Sequence, residues 1–136
     1  MNLKEILEEV EKTISDLQEE NKSIPIIVEG EKDLQALHLL GVRGVILTFN
    51  KGKSLIDFCD WVASRFKKVI ILTDWDRRGG NLCRVMIQQF KGRVEYDVSF
   101  RRIFARYTMV SKLEGLPRWI KTMHEKQYEN HRKSDK

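Results

Sequence analysis

No uninterrupted apolar stretch in this 136-residue chain approaches the roughly 20 residues that a membrane-spanning helix needs, so none is expected. Residues 1–5 lack the basic-then-apolar order of a secretory signal, and a cytoplasmic location is expected. Cysteine is scarce. Cys59 and Cys83 stand 24 residues apart without metal-ligand spacing, each beside apolar residues in a helical pattern. Buried free thiols are therefore expected rather than a disulfide. Internal repeats and low-complexity segments are absent.

Familiar nucleotide and nucleophile signatures are missing as well. Gly52-Lys53-Ser54 imitates the end of a phosphate-binding loop, but Leu47 stands where the first glycine is required. No G-x-G-x-x-G follows the first apolar run, so a dinucleotide fold is unsupported. A dehalogenase-type nucleophile would put its Asp-x-Asp on the first strand, and here that pair follows the third. A receiver-like domain would need adjacent acids after the first strand and a lysine after the fifth, and neither is present. No Ser/His/Asp triad is evident. His38 faces a helix interior, His124 and His131 fall in a basic C-terminal helix, and none has an assignable partner.

What remains is a chain that is 41% hydrophobic and 33% charged, the balance of a soluble globular protein. Its length suits one domain over residues 1–136. The net charge of +5 is unevenly spread: residues 1–23 carry three Lys/Arg against seven Asp/Glu, and residues 101–136 carry ten against four. A basic final third beside acidic motifs fits a polyanionic partner such as nucleic acid.

Periodicity gives the order of elements. Leu3, Leu7, Val10, Ile14 and Leu17 mark an amphipathic helix over 2–21. A strand–helix rhythm follows, with strands at 24–28, 44–49, 68–73 and 93–98 and helices at 32–40, 54–66 and 81–90. The strands are continuous Val/Ile/Leu runs, as in strands buried on both faces. Alternation with helices then predicts an α/β fold with about four mostly parallel strands, flanked by helices and carrying extra helices at both ends. Past Ser99 aromatics and arginines mix, until a closing helix over 116–131 with Pro117 in its first turn. Residues 132–136 are expected to fray.

Two acidic clusters end two of these strands. Ile-Ile-Val28 runs into Glu29-Gly30, and Ile-Leu-Thr73 runs into Asp74-Trp75-Asp76-Arg77-Arg78-Gly79. Loops leaving the carboxyl ends of parallel strands form the functional crevice. Asp74 and Asp76, two apart on an extended strand end, are placed to project to one side. Carboxylates gathered there resist joint ionisation unless a cation lies between them, and hard oxygen ligands suit magnesium or manganese. The bland readings are a helix-terminal acid for Glu29 and salt bridges to Arg77 and Arg78 for the pair. Gly30 and Gly79 are read as turn glycines. Asp33 is read as an acid favoured by its helix dipole, supporting the site from behind. Trp75 is expected to pack on a neighbouring loop.

Val28-Glu29-Gly30-x-x-Asp33 followed by Thr73-Asp74-x-Asp76-x-x-Gly79 resembles the Toprim domain of topoisomerases, bacterial-type primases and several small nucleases. The likeness covers roughly residues 24–100. An arginine-rich strand exit at 97–106, followed by Leu113-Glu114-Gly115-Leu116, resembles the small standalone Toprim proteins found mainly in archaea. The resemblance implies a three-layer Rossmann-like fold, with Glu29, Asp74 and Asp76 binding one or two magnesium ions (manganese as a substitute) and Glu29 acting as general acid or base. Lys51 and Lys53, in the loop after the second strand, and Arg77 and Arg78 are candidates to hold a phosphate. Arg101, Arg102 and Arg106 are candidates to track a nucleic-acid backbone. Tyr96, Tyr107 and Tyr128 lie in no topoisomerase context, and the chain is too short for a primase's accessory domains. A magnesium-dependent nuclease or nucleotidyl-transfer enzyme of RNA or DNA is the leading expectation, with RNA processing as one setting. The alternative is a nucleic-acid or ribonucleoprotein binding module without turnover. No membrane partner is expected, and monomer and homodimer both stay open.

Overall fold

A computed structural model describes residues 1–50, 52 and 54–134 of the chain. Helix α1 (Leu3–Glu20) starts at Asn2, whose side chain accepts the Glu5 N–H, and buries the stripe Leu7, Val10, Ile14 and Leu17. Three strand–helix units follow: β1 (Ile26–Val28) and α2 (Glu31–Leu39), β2 (Ile46–Thr48) and α3 (Leu55–Arg65), and β3 (Lys68–Ile71) and α4 (Arg77–Phe90). Strand β4 (Glu95–Asp97), helix α5 (Ser99–Tyr107), a 3₁₀ turn at Leu113–Gly115 and helix α6 (Leu116–Ser134) complete the order.

The sheet runs β2-β1-β3-β4, and each neighbouring pair is parallel. Because successive side chains on a strand point to opposite faces, each inner strand feeds two cores. Ile26, Val28, Ile70 and Leu72 pack with α1, α2, α5 and the start of α6. Ile27, Val69 and Ile71 pack with Phe58, Cys59 and Val62 of α3 and with Cys83, Met86 and Phe90 of α4. The result is the expected three-layer α/β architecture. Both cysteines are buried and free, as their apolar surroundings predicted, and burial pushes the Cys59 thiol up to about 11.

The N-terminal helix is stitched to the sheet by one amide. Buried Asn21 donates to the carbonyls of Ile24 and Val45, both at 3.0 Å, and accepts the Gly44 N–H at 2.8 Å. The starts of β1 and β2 are thereby fixed to the end of α1. His124 also finds a partner that its sequence did not reveal, Glu11 of α1 at 3.2 Å.

Three stretches differ from the sequence reading. Helix α4 begins at Arg77 rather than Asn81, because Asp76 caps it and Gly79-Gly80 lie inside its first turn. Residues 99–107 form a helix rather than a strand exit, burying Phe100 and Phe104 on one side. Helix α6 continues past 131 to Ser134. Among the described residues, no helix is long and apolar enough to cross a membrane.

Candidate functional site

Strands β1 and β3 are neighbours, but the chain leaves them toward opposite edges of the sheet, to β2 and to β4. That reversal opens a crevice at their carboxyl ends. Glu29 follows β1 directly. Its Oε2 accepts the backbone N–H of Asp74 at 2.8 Å, across a separation of 45 residues. Its Oε1 is buried and accepts no hydrogen bond. The guanidinium of Arg78 stands 3.2 Å from that oxygen, as an ion pair without hydrogen-bond alignment. Arg78 itself is 58% exposed in its side chain, against 9% for Glu29.

Asp74 is buried, and its Oδ1 accepts the Leu113 N–H at 2.8 Å. Burial raises its carboxyl most. The Leu113 bond pulls the other way, and the charges of Glu29 and Asp76 add to the rise, leaving it at about 6. Behind it, Asp33 is also raised, first by burial and then by the charge of Asp74, although Gly30 N–H donates to its Oδ2 at 3.1 Å. The fold thus holds more negative charge here than its own donors neutralise.

The backbone around these acids is tightly held. Asp76 caps α4, its Oδ1 accepting the Gly79 N–H at 2.7 Å. Thr73 Oγ1 donates to the Gly79 carbonyl at 2.8 Å. A Cβ on Gly79 would lie 1.9 Å from the Asp74 carbonyl oxygen. Gly79 therefore serves close approach rather than a turn. Gly30 needs neither: its φ of −162° is extended backbone open to any residue, and a Cβ there meets nothing within 4 Å.

Helix α5 contributes Arg101, whose Nη2 donates to the Asp74 carbonyl at 2.9 Å and whose Nε lies 3.1 Å from that of Thr73. The segment before α6 closes over the same loop. Trp75 N–H donates to Ser111 O at 2.9 Å, its indole N–H to Val110 O, and its ring packs 5.7 Å from that of Phe104. Trp75 is thus a packing residue, as expected.

The crevice encloses about 330 Å³, and Glu29, Asp33 and Asp74 face Lys32, Arg78 and Lys112 around it. The Toprim domain model matches residues 24–107. The chain belongs to the Toprim family. The match reaches past residue 100 to take in α5, which carries Arg101. A UPF0292 protein of Thermoplasma volcanium is 37% identical over 98 residues, covering 71% of this chain and 82% of the relative. A UPF0292 protein of Methanocaldococcus jannaschii is 35% identical over 109 residues, covering 79% and 85%. A putative protein from Aquifex aeolicus matches in fold with a TM-score of 0.66, at 24% identity, over 76% of this chain and 94% of that one.

The three acids expected at the site do not stand alike. Glu29 and Asp74 are brought together, whereas Asp76 reaches Asp74 through its charge while its carboxylate caps α4. Among the described residues, no three His, Cys, Asp or Glu side chains are grouped as ligands of one ion. Arg77 is exposed. Arg102 lies beside the β4 edge with Lys68 and Glu95, away from the crevice. Arg106 stacks 5.3 Å over the Tyr107 ring. Lys51 and Lys53 fall outside the described residues, although their neighbour Asn50 lines the crevice. Lys32 and Lys112 were missed by sequence reasoning. Lys112 had a signal, its place just before the Leu113-Glu114-Gly115-Leu116 segment.

Proposed function

We propose that this crevice handles nucleic-acid phosphodiesters with magnesium, as a small nuclease or nucleotidyl-transfer enzyme acting in RNA processing. Toprim domains generally bind divalent metal ions, and the residues present suit one. The observation that carries the reading is the pairing of Glu29, with a buried oxygen lacking any hydrogen-bond donor, and Asp74, whose carboxyl is held at about 6 beside it. Paired hard oxygen donors short of positive charge match magnesium or manganese.

In this reading Glu29 and Asp74 would hold the ion, and Asp76 would be the third carboxylate available to it if released from its cap on α4. The bound ion would supply charge neutralisation at the attacked phosphate. Glu29 moves the proton of the attacking group as general acid or base. Lys32, Arg78 and Lys112 bind phosphate oxygens from the crevice wall, and Arg77, Lys51 and Lys53 are assigned the same role from the sequence. Arg102 and Arg106 extend the basic surface along the backbone of the nucleic acid. Arg101 acts by positioning, since its guanidinium holds the loop that carries Asp74.

The test is cleavage of structured RNA and of DNA with magnesium by the wild type and by Asp74→Ala. Loss of activity in the variant, while its melting transition persists, is the expected result; equal background in both sinks the proposal. A binding module without turnover is the second reading, favoured by the engagement of Asp76 as a cap. It predicts salt-sensitive binding that survives chelation and Asp74→Ala.

A further inference from the structure

The two outer strands of the sheet are finished differently. At the β4 edge the sequence Arg93-Val94-Glu95-Tyr96-Asp97 places charges along the strand, a common device against unwanted pairing. At the β2 edge, residues 44–50 carry no charge and no proline, and β2 pairs with β1 alone. Beside it a groove of about 600 Å³ runs between β2 and α3, lined by Ile46, Leu47, Thr48, Asp57, Phe58 and Trp61. Trp61 in its wall is 42% exposed, and Val45 and Ile56, next in sequence to the lining residues Ile46 and Asp57, are 54% and 53% exposed.

The hydrogen-bond register shows which groups are free. Val45 O accepts from Ile26 N and Phe49 N donates to Val28 O, so these residues turn their backbone polar groups inward to β1. Alternation along the strand turns those of Ile46 and Thr48 outward. An unprotected, apolar edge with outward N–H and C=O groups is a template for strand addition.

We propose that β2 is the interface of a homodimer, in which two copies pair their β2 strands antiparallel about a two-fold axis through Leu47. In that register Ile46 of each copy exchanges both backbone hydrogen bonds with Thr48 of the other. Leu47 meets its own copy on the axis, and Val45 lies opposite Phe49. Every cross-strand pair is uncharged, so the edge is complementary to itself, as a two-fold interface requires. Nucleic acid is a poor occupant, because Asp57 is the charged side chain among the described residues lining the groove, and it repels phosphate. Strand pairing alone is small, and Phe58 and Trp61 in the groove wall add apolar surface to it.

Sedimentation of the purified full chain over a range of concentrations, with amide hydrogen exchange of Ile46 and Thr48, tests the interface. The expected result is a dimer whose Ile46 and Thr48 amides are protected, and a Val45→Lys/Trp61→Lys variant that is monomeric with those amides exchanging freely. Val45 and Trp61 are already partly exposed, so the monomer should still fold, and the wild-type exchange pattern decides even if it does not. A monomer at every concentration, or a dimer in which both amides exchange rapidly, overturns the proposal. So does protection of those amides in a monomer only on adding an oligonucleotide.

Discussion

The crevice at the ends of β1 and β3 and the groove beside β2 are opposites. The groove is the larger, about 600 Å³ against 330 Å³, and its lining carries Ile46, Leu47, Phe58 and Trp61 with a single charged side chain among the described residues, Asp57. The crevice is smaller and its lining sets five acids, Glu29, Glu31, Asp33, Asp74 and Glu114, against three cations, with one buried carboxylate oxygen left without a hydrogen bond. An open, uncharged strand edge therefore points toward association, and unmatched charge toward chemistry. The two regions also differ in how much the fold depends on them. The crevice is built by backbone segments in close approach, whereas the groove is bordered by side chains that already meet solvent.

The sharpest way to break the comparison is Gly79→Ala. A Cβ standing 1.9 Å from the Asp74 carbonyl must push β3 and α4 apart. We expect a loss on the order of 3 kcal/mol or more in denaturant unfolding. Gly30→Ala, at the same crevice but with free space and an extended backbone, should change stability by less than about 0.5 kcal/mol. If the two variants melted alike, the close approach at Gly79 would not be what shapes the site.

Arg101→Ala comes next. It removes the charged donors from the Thr73 and Asp74 carbonyls, for an expected cost of about 2 kcal/mol. The loss should be joined by a change in the fluorescence of Trp75, whose loop those bonds hold.

The comparison is sharpened further by a dependence on pH. The folded protein holds the Asp74 carboxyl at about 6, above its ordinary 3.8, so the fold favours the protonated form. Its contribution to stability is fully present below about pH 4, is lost as pH rises through 6, and stays lost above that. Asp74→Asn should remove this dependence. The difference in melting temperature between Asp74→Asn and wild type, in the absence of metal, should therefore widen from pH 4 to pH 7 in favour of the variant. Magnesium should narrow it at pH 7 by stabilising the wild type alone.

Much of the site was legible because strand hydrophobicity and strand-end acids are local patterns. Continuous runs such as 69–72 announced a doubly covered sheet, and acids immediately after them could only sit at its edge. What stayed hidden depended on partners far away in sequence. Helix α5 looked like an irregular arginine-rich exit because Arg101, Arg102 and Arg106 masked the Phe100–Phe104 spacing that buries it. Arg101 reads as a surface cation until the carbonyls of Thr73 and Asp74 are seen beneath it. The start of α4 was misplaced because Gly79 and Gly80 are poor helix formers, and here close packing and the Asp76 cap override propensity. The free edge of β2 cannot be read from the strand itself, since edge or centre is decided by the order of the whole sheet.

The hydrogen bond from Leu113 to Asp74 spans 39 residues. During synthesis from the N-terminus, the ribosome delivers all of the sheet and α4 before that donor exists. A nascent chain therefore carries both acids before the segment that closes over Asp74 has been made. The crevice can take its final electrostatics only after residue 113 has been added.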